Sequence, residues 1–174
     1  NVTLTGGEPL SHPDFKHIYI EFKKRGFLID IFSNAILIDE DMANFLEANP
    51  PRSIDVTLYG LSDEEYYRFT GVQNGFTKLC NALNLLKERD VFFTTKMILH
   101  KGNYNRLLDY NNFALQYNAP FRYNVIIGRG NNTIKDPNDI ALSNEEILAI
   151  ESQDPLRKAI FSMLANDCTC LPGD

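Results

Sequence analysis

The sequence has few cysteines, no long apolar runs and no excess of positive charge. It has three cysteines among 174 residues. A secreted disulfide framework usually has more cysteines and an even number of them. No apolar run approaches a membrane span, and no signal peptide is visible. Lysine and arginine number 17 against 23 acidic residues, a net charge of −6, which argues against a nucleic-acid binder. We therefore predict a cytoplasmic protein without a membrane or nucleic-acid partner.

Apolar segments and helical patterns alternate along the chain. Its length and 44% hydrophobic content predict one domain with a sizeable core. Five apolar segments predict strands, at 2–5, 27–32, 53–59, 91–99 and 121–127. Apolar residues at helical spacing predict helices between them, at 12–24, 39–48, 76–89 and 104–117. This alternation predicts βαβ units and a parallel sheet, although periodicity alone does not separate a barrel from an open doubly wound sheet.

Local patterns add detail to this α/β class. Ser11, with Asp14 three residues later, resembles a capping box and predicts the start of the first helix. The strands are nearly continuous apolar runs, as sheets covered by helices require. After Gly130 the chain becomes polar, so we divide it into a core at 1–130 and a C-terminal helical segment at 131–174. Within this segment, Ser143 and Glu146 have the spacing of a capping box and predict the start of a short helix.

The first predicted strand runs into Gly6-Gly7-Glu8-Pro9. Adjacent glycines let the backbone approach a ligand closely, and the carboxyl ends of parallel strands are where such folds bind ligands. A carboxylate there, beside free backbone carbonyls, suits a ligand ammonium group. The alternative is a simple strand-to-helix turn with a solvated Glu8.

Further polar residues follow the next strands. Thr57 and Arg68 combine a hydroxyl with a guanidinium and predict a clamp for a carboxylate, although an ordinary strand residue and a solvated helix residue are the alternative. Asn34 is either a polar site residue or the start of an Asx-turn. Gly128 ends the fifth predicted strand and exposes backbone there, unless it simply forms a turn.

The segments TGGEPL, SNA and VTLYG followed by EEYYRFTG resemble the radical S-adenosylmethionine (radical SAM) iron–sulfur enzymes from residue 1 to about residue 130. The resemblance implies a partial (βα)6 TIM-like barrel that here lacks its first strand. It also implies that SAM is bound by seven residues: Gly6, Gly7 and Glu8 at its ammonium, Thr57 and Arg68 at its carboxylate, and Asn34 and Gly128 elsewhere.

The family's CxxxCxxC, whose thiolates hold a [4Fe-4S] cluster, does not occur in this sequence. The resemblance therefore implies a fragment of an oxidoreductase that cleaves SAM to a 5′-deoxyadenosyl radical for hydrogen abstraction. Flavodoxin or ferredoxin is the kind of electron donor that it implies. Because no three cysteines have cluster spacing, we expect the chain as given to be inactive and to hold no metal for the SAM cluster.

The sequence ends in CTCLPGD, which resembles the beginning of a SPASM extension of peptide-modifying radical SAM enzymes. This implies a peptide or protein substrate and makes Cys168 and Cys170 candidate ligands of an auxiliary cluster. By themselves the two thiols are too few for a four-ligand metal site.

Two other functions fit parts of the sequence. A non-catalytic α/β binding or interaction module without a cluster is one, because fold alone does not fix function. A TIM-like aldolase or isomerase using Lys96 or His100 is the other, although it leaves Gly-Gly-Glu-Pro unexplained. Where relatives often have Asp after the third strand, this chain has Tyr59, so proton transfer there is in doubt.

Overall fold

The computed structural model describes residues 1–125 and 141–153. One parallel sheet contains the five strands β1 (Val2–Leu4), β2 (Ile29–Ser33), β3 (Ser53–Thr57), β4 (Phe93–Ile98) and β5 (Phe121–Asn124). The α-helices are α1 (Phe15–Lys24), α2 (Glu40–Ala48), α3 (Asp63–Thr70), α4 (Gly75–Glu88), α5 (Leu107–Gln116) and α6 (Asn144–Gln153). Short 3₁₀ helices lie at Pro9–Ser11 and Tyr104–Arg106.

The strand order in the sheet is the order along the chain, β1-β2-β3-β4-β5. A doubly wound sheet reverses its strand order at a switch point, and this sheet has no such reversal. Sequential parallel strands joined by helices are instead the arrangement of a TIM-like barrel. The predicted α/β fold with a partial TIM-like barrel is therefore confirmed.

The chain divides into two compact units. The first contains residues 1–98 and 103–124, which include all five strands. The second contains 99–102 and the chain from residue 125 onward, of which the structure describes α6. The predicted boundary at residue 130 lies outside the described residues and stays a prediction.

The two faces of the sheet differ in polarity. One carries apolar side chains that are at most 1% exposed, among them Ile29, Ile31, Ile54, Val56 and Met97. The alternate residues of the same strands are polar, charged or aromatic, and we call the side that carries them the inner face: Asp30, Phe32, Asp55, Thr57, Thr94, Lys96 and Arg122. The expectation of nearly continuous apolar strands is therefore wrong, because only one face packs in the core.

Some of the helices begin with a side-chain cap. Asp39 caps α2 by accepting from the Met42 N–H at 2.9 Å. At α6, Ser143 and Glu146 bond each other's backbone N–H groups at 3.2 and 2.7 Å, which confirms that predicted capping box.

The predicted cap at Ser11 is wrong. Residues Pro9–Ser11 form their own 3₁₀ helix, in which Glu8 accepts from the Leu10 N–H at 3.1 Å. The Ser11 hydroxyl donates to the Glu8 carbonyl at 2.7 Å, and α1 begins later, at Phe15. Among the described residues, no helix is long and apolar enough to cross a membrane.

Candidate functional site

Glu8 links the carboxyl ends of β1 and β2. Its Oε1 accepts hydrogen bonds from the Leu10 N–H at 3.1 Å and from Ser33 Oγ at 2.7 Å. Its Oε2 accepts from the Asn34 N–H at 2.8 Å. A carboxylate accepts about four hydrogen bonds, so these three fix its orientation and leave capacity for a further donor. The simple alternative of a solvated turn residue does not describe Glu8.

The two glycines before Glu8 have different backbone requirements. Gly6 has φ +143°, a conformation that L side chains rarely adopt. Gly7 shows no such φ, and a Cβ built at either position would meet no atom within 4 Å. Neither crowding nor conformation explains a glycine at position 7, so its backbone lies open to a ligand's close approach.

Asn34 forms the Asx-turn that the sequence offered as the alternative to a site residue. Its Oδ1 accepts from the Ile36 N–H at 3.1 Å, which is an Asx-turn, and Ala35 has φ +60°. The Asn34 side-chain NH₂ donates to no residue within 1–125 and 141–153. The turn therefore fixes this amide at the strand end beside Glu8, with its donors available.

The predicted clamp of Thr57 and Arg68 is not assembled by contacts within the described part of the chain. Thr57 ends β3, and its carbonyl accepts from the Tyr66 hydroxyl at 3.3 Å. Arg68 lies on α3 and pairs with Glu64 at 2.9 Å, with its side chain 74% exposed. Arg68 thus lies where a solvated helix residue would, and the clamp stays a prediction.

Tyr59 lies at the same strand ends as Glu8. Its ring meets Tyr66 edge-on at 5.8 Å and stacks on Phe69 at 6.3 Å between centroids. Burial raises the pKa of the Tyr59 phenol, and the negative charge of Glu8 raises it further. Tyr59 is therefore a neutral hydroxyl at pH 7, and it is unsuited to the role of a carboxylate base.

The inner face carries a charged cluster that sequence reasoning missed. Asp30 pairs with Arg52, and Asp55 Oδ1 accepts from Arg122 Nη2 at 2.6 Å. They line a depression of about 570 Å³ on the inner face. The signal in the sequence was the alternation of polar and apolar residues within β3, Ser-Ile-Asp-Val-Thr.

Lys96 lies on the same face. Its Nζ is 3.6 Å from the centroid of the Phe32 ring, which is within cation–π range. Burial lowers the pKa of Lys96, while the charge of Asp55 opposes and that of Arg122 reinforces this effect. His100, its partner in the aldolase alternative, belongs to the second unit, where its Nδ1 accepts from the Gly102 N–H at 3.0 Å.

A match to a family model identifies the superfamily of this chain. The model of the radical SAM superfamily matches residues 1–113, which contain Glu8, its partners and Lys96. The chain belongs to the radical SAM superfamily. Among curated proteins, the AdoMet-dependent heme synthase of Methanosarcina barkeri is 25% identical over 100 residues, which are 58% of this chain and 29% of the synthase.

Solved structures of radical SAM proteins share the fold. The structure of anSMEcpe with bound AdoMet and Kp18Cys peptide has a TM-score of 0.65 at 16% identity, covering 86% of this chain and 44% of that one. Streptococcus suis SuiB bound to precursor peptide SuiA has a TM-score of 0.58 at 19% identity, covering 70% and 28%. TYW1 with a lysine-pyruvate adduct has 0.62 at 20%, covering 87% and 48%. The chain spans less than half the length of each.

Three predicted site residues, Gly128, Cys168 and Cys170, lie outside the described residues and stay predictions. Within the described ranges, no three His, Cys, Asp or Glu side chains come together as metal ligands. Cys80 on α4 is half-buried, and burial raises the pKa of its thiol. The described residues therefore offer no ligand set for an iron–sulfur cluster, whereas the strand ends around Glu8 do offer groups suited to SAM.

Proposed function

We propose that this chain is the SAM-binding part of a radical SAM oxidoreductase. The observation that carries the proposal is the position of the Glu8 carboxylate. It is hydrogen-bonded to Ser33 and Asn34 at the end of β2 and can accept a further hydrogen bond, and it lies beside the open backbone of Gly7. Membership of the superfamily supplies the cofactor class. The hydrogen bonds of Glu8 support the proposed choice of residues.

Each part of SAM has matching groups on this chain. The Glu8 carboxylate and the carbonyls around Gly6 and Gly7 are acceptors for the ammonium, through charge-assisted hydrogen bonds. Thr57 is a proposed partner of the carboxylate, and Asn34 and Gly128 complete the proposed set. These groups would bind and orient SAM at the carboxyl ends of the strands. Arg68, the cation that the sequence predicts for this carboxylate, is bonded to Glu64 on α3.

Held by these residues in the complete protein, SAM would supply a 5′-deoxyadenosyl radical for hydrogen abstraction, with methionine as the other product and one electron from the proposed donor. The [4Fe-4S] cluster that the family uses has no fitting ligands in this sequence, since CxxxCxxC is absent. We therefore assign no step to residues of this chain at a cluster. The 174 residues by themselves are proposed to be inactive.

A peptide or protein is the proposed substrate class. Its support is the pair of neighbours solved with peptides, anSMEcpe with the Kp18Cys peptide and SuiB with SuiA. Cys168 and Cys170 are proposed ligands of an auxiliary cluster, as in SPASM proteins. A flavodoxin or ferredoxin is the proposed electron donor.

The test uses the full-length protein, reconstituted anaerobically with iron and sulfide and reduced with dithionite. We expect 5′-deoxyadenosine and methionine to form from SAM. Glu8→Gln removes the negative charge while keeping the shape, so SAM affinity should fall. Glu88→Gln, on α4, is the exposed control. A full-length protein that binds neither cluster nor SAM would support the non-catalytic module instead.

A further inference from the structure

Lys96 carries a charge that the described part of the chain leaves without a counter-ion. Its side chain extends from β4, and its ammonium lies over Phe32 on β2, 3.6 Å from the ring centroid. No hydrogen bond or ion pair joins Lys96 Nζ to a residue that the structure describes. A half-buried ammonium without an acceptor is stabilised when an anion reaches it.

The acidic residues nearby are already paired. Both Asp30 oxygens accept from Arg52. Asp55 Oδ1 accepts from Arg122 at 2.6 Å and from Thr94 Oγ1 at 2.6 Å. Among the residues that the structure describes, the inner face thus holds two balanced ion pairs and the cation Lys96, which a ligand anion could neutralise.

Lys96 is also close to the proposed SAM site. Thr57 stands directly beside it in the register of β3 and β4. Phe32, under the ammonium, immediately precedes Ser33, the hydroxyl that donates to Glu8. The side chain therefore reaches back across the sheet to the strand whose end holds Glu8. The methionyl group of SAM carries its ammonium and its carboxylate on one carbon. A site that binds both groups needs a hydrogen-bond acceptor for the ammonium and a cation for the carboxylate close together.

We propose that Lys96, with the hydroxyl of Thr57, binds the carboxylate of the methionyl group of SAM, while Glu8 binds its ammonium. This inference rests on the proposed function and replaces Arg68 as the cation. The Arg68 guanidinium is bonded to Glu64 on the exposed side of α3. Lys96 instead faces the same side of the sheet as Thr57.

The test compares SAM with decarboxylated SAM, which keeps the ammonium and lacks the carboxylate. Calorimetric titrations use the reconstituted full-length protein and four variants: Lys96→Met, Lys96→Arg, Arg68→Met and Lys78→Met. Lys78 is exposed on α4 and serves as the matched control. Circular dichroism checks that each variant is folded.

Lys96→Met should weaken SAM binding about 10- to 100-fold, the range for a lost hydrogen bond to a charged group. Its affinity for decarboxylated SAM should not change. Lys96→Arg should keep most of the preference for SAM, and the Arg68 and Lys78 variants should keep all of it. A selective loss in Arg68→Met, or an equal effect of Lys96→Met on both ligands, overturns the inference.

A measurement on the unmutated protein keeps the inference testable if Lys96→Met does not fold. The lysines are methylated with ¹³C, and the pKa of Lys96 is followed by NMR. A bound carboxylate favours the charged amine, so SAM should raise this pKa and decarboxylated SAM should not. Equal shifts with both ligands contradict the assignment of Lys96 while leaving SAM binding, and so the proposed function, intact. Absence of SAM binding in the unmutated protein removes both.

Discussion

Ser33 Oγ donates a hydrogen bond to Glu8 Oε1 at 2.7 Å. The two residues are 25 positions apart, so the bond connects the turn after β1 to the end of β2. Ser33 is 3% exposed, and its oxygen also accepts from the Ala35 N–H at 2.9 Å. The Ser33 hydroxyl therefore connects the end of β2 to the turn after β1 and fixes the position of the Glu8 carboxylate.

Ser33→Ala should destabilise the fold and weaken SAM binding together. The change leaves the Ala35 N–H without its acceptor, which costs about 1–3 kcal/mol at a buried position, and it removes one of the two hydrogen bonds that Glu8 Oε1 accepts. Urea unfolding measures the stability, and titration with SAM measures the affinity. Ser11→Ala is the control, because the Ser11 hydroxyl bonds the Glu8 carbonyl in an exposed setting.

Equal effects of the Ser11 and Ser33 variants would contradict this role. So would full SAM affinity in a folded Ser33→Ala protein, because Glu8 would then keep its position without the hydroxyl. The Glu8 bonds from Leu10 and Asn34 would in that case be sufficient.

Gly6→Ala and Gly7→Ala should have different consequences. A Cβ at Gly6 is strained by its φ of +143°, at a cost of order 1–3 kcal/mol. Gly7 has neither strain nor a clash, so Gly7→Ala should unfold like the unmutated protein. Its methyl group should instead weaken SAM binding, because it occupies the space that a ligand would use.

Thermal unfolding and SAM titration of the two glycine variants check this expectation. Unchanged SAM affinity in Gly7→Ala would contradict the assignment of position 7 to the ligand. Unchanged stability in Gly6→Ala would contradict the backbone conformation that the structure gives for Gly6.

Much of the fold was predictable because its signals are local. Strand segments, connecting helices and the Ser143–Glu146 capping box depend on residues close in sequence. The Ser11 cap failed because Glu8 and Pro9 start a 3₁₀ helix of their own. A capping pattern in the sequence does not show which of two adjacent helical turns it caps.

The sequence predicted the residue types of the candidate site, but not the hydrogen bonds and contacts between residues far apart in the chain. The Gly-Gly-Glu sequence indicated an acceptor at a strand end, but the Ser33 bond to Glu8 spans a whole βα unit. The charged inner face was missed because the strands were interpreted as apolar runs. Lys96 and Phe32 are 64 positions apart, and only the sheet register brings them together.

The link between α3 and α4 should depend on acid pH. Thr77 donates its N–H and its hydroxyl to the two oxygens of Asp63, at 2.9 and 2.6 Å. These bonds, the hydroxyl first, lower the pKa of Asp63. Since the folded-state pKa is the lower one, the stability from this link is present above the unfolded-state pKa. It is lost as pH falls through the folded-state pKa.

The unfolding free energies of the unmutated protein and of Thr77→Val should therefore differ at neutral pH and converge in acid. Urea titrations between about pH 7 and about pH 2 span the ordinary carboxyl range. Thr77→Ser keeps the hydroxyl and should keep the pH dependence. A difference that is constant with pH would contradict the contribution of Asp63.

Tyr59 should contribute its ring to the fold and should tolerate no negative charge. Burial and the charge of Glu8 both raise its pKa, so the phenol is neutral at pH 7. Tyr59→Phe keeps the contacts with Tyr66 and Phe69 and should leave stability within about 0.5 kcal/mol. Tyr59→Asp loses those ring contacts and places a second carboxylate near Glu8.

Like charges at short distance raise the pKa of one carboxyl, so the Tyr59→Asp protein should gain stability as pH falls from 7 toward 5. The cause is that protonation relieves a repulsion that is present in the folded state and weaker in the unfolded one. Urea unfolding at several pH values measures this gain relative to Tyr59→Asn, which has the same size without the charge. Parallel pH profiles for the Asp and Asn variants would mean that residue 59 and Glu8 do not interact, because a shared repulsion requires the profiles to diverge as both carboxylates ionise.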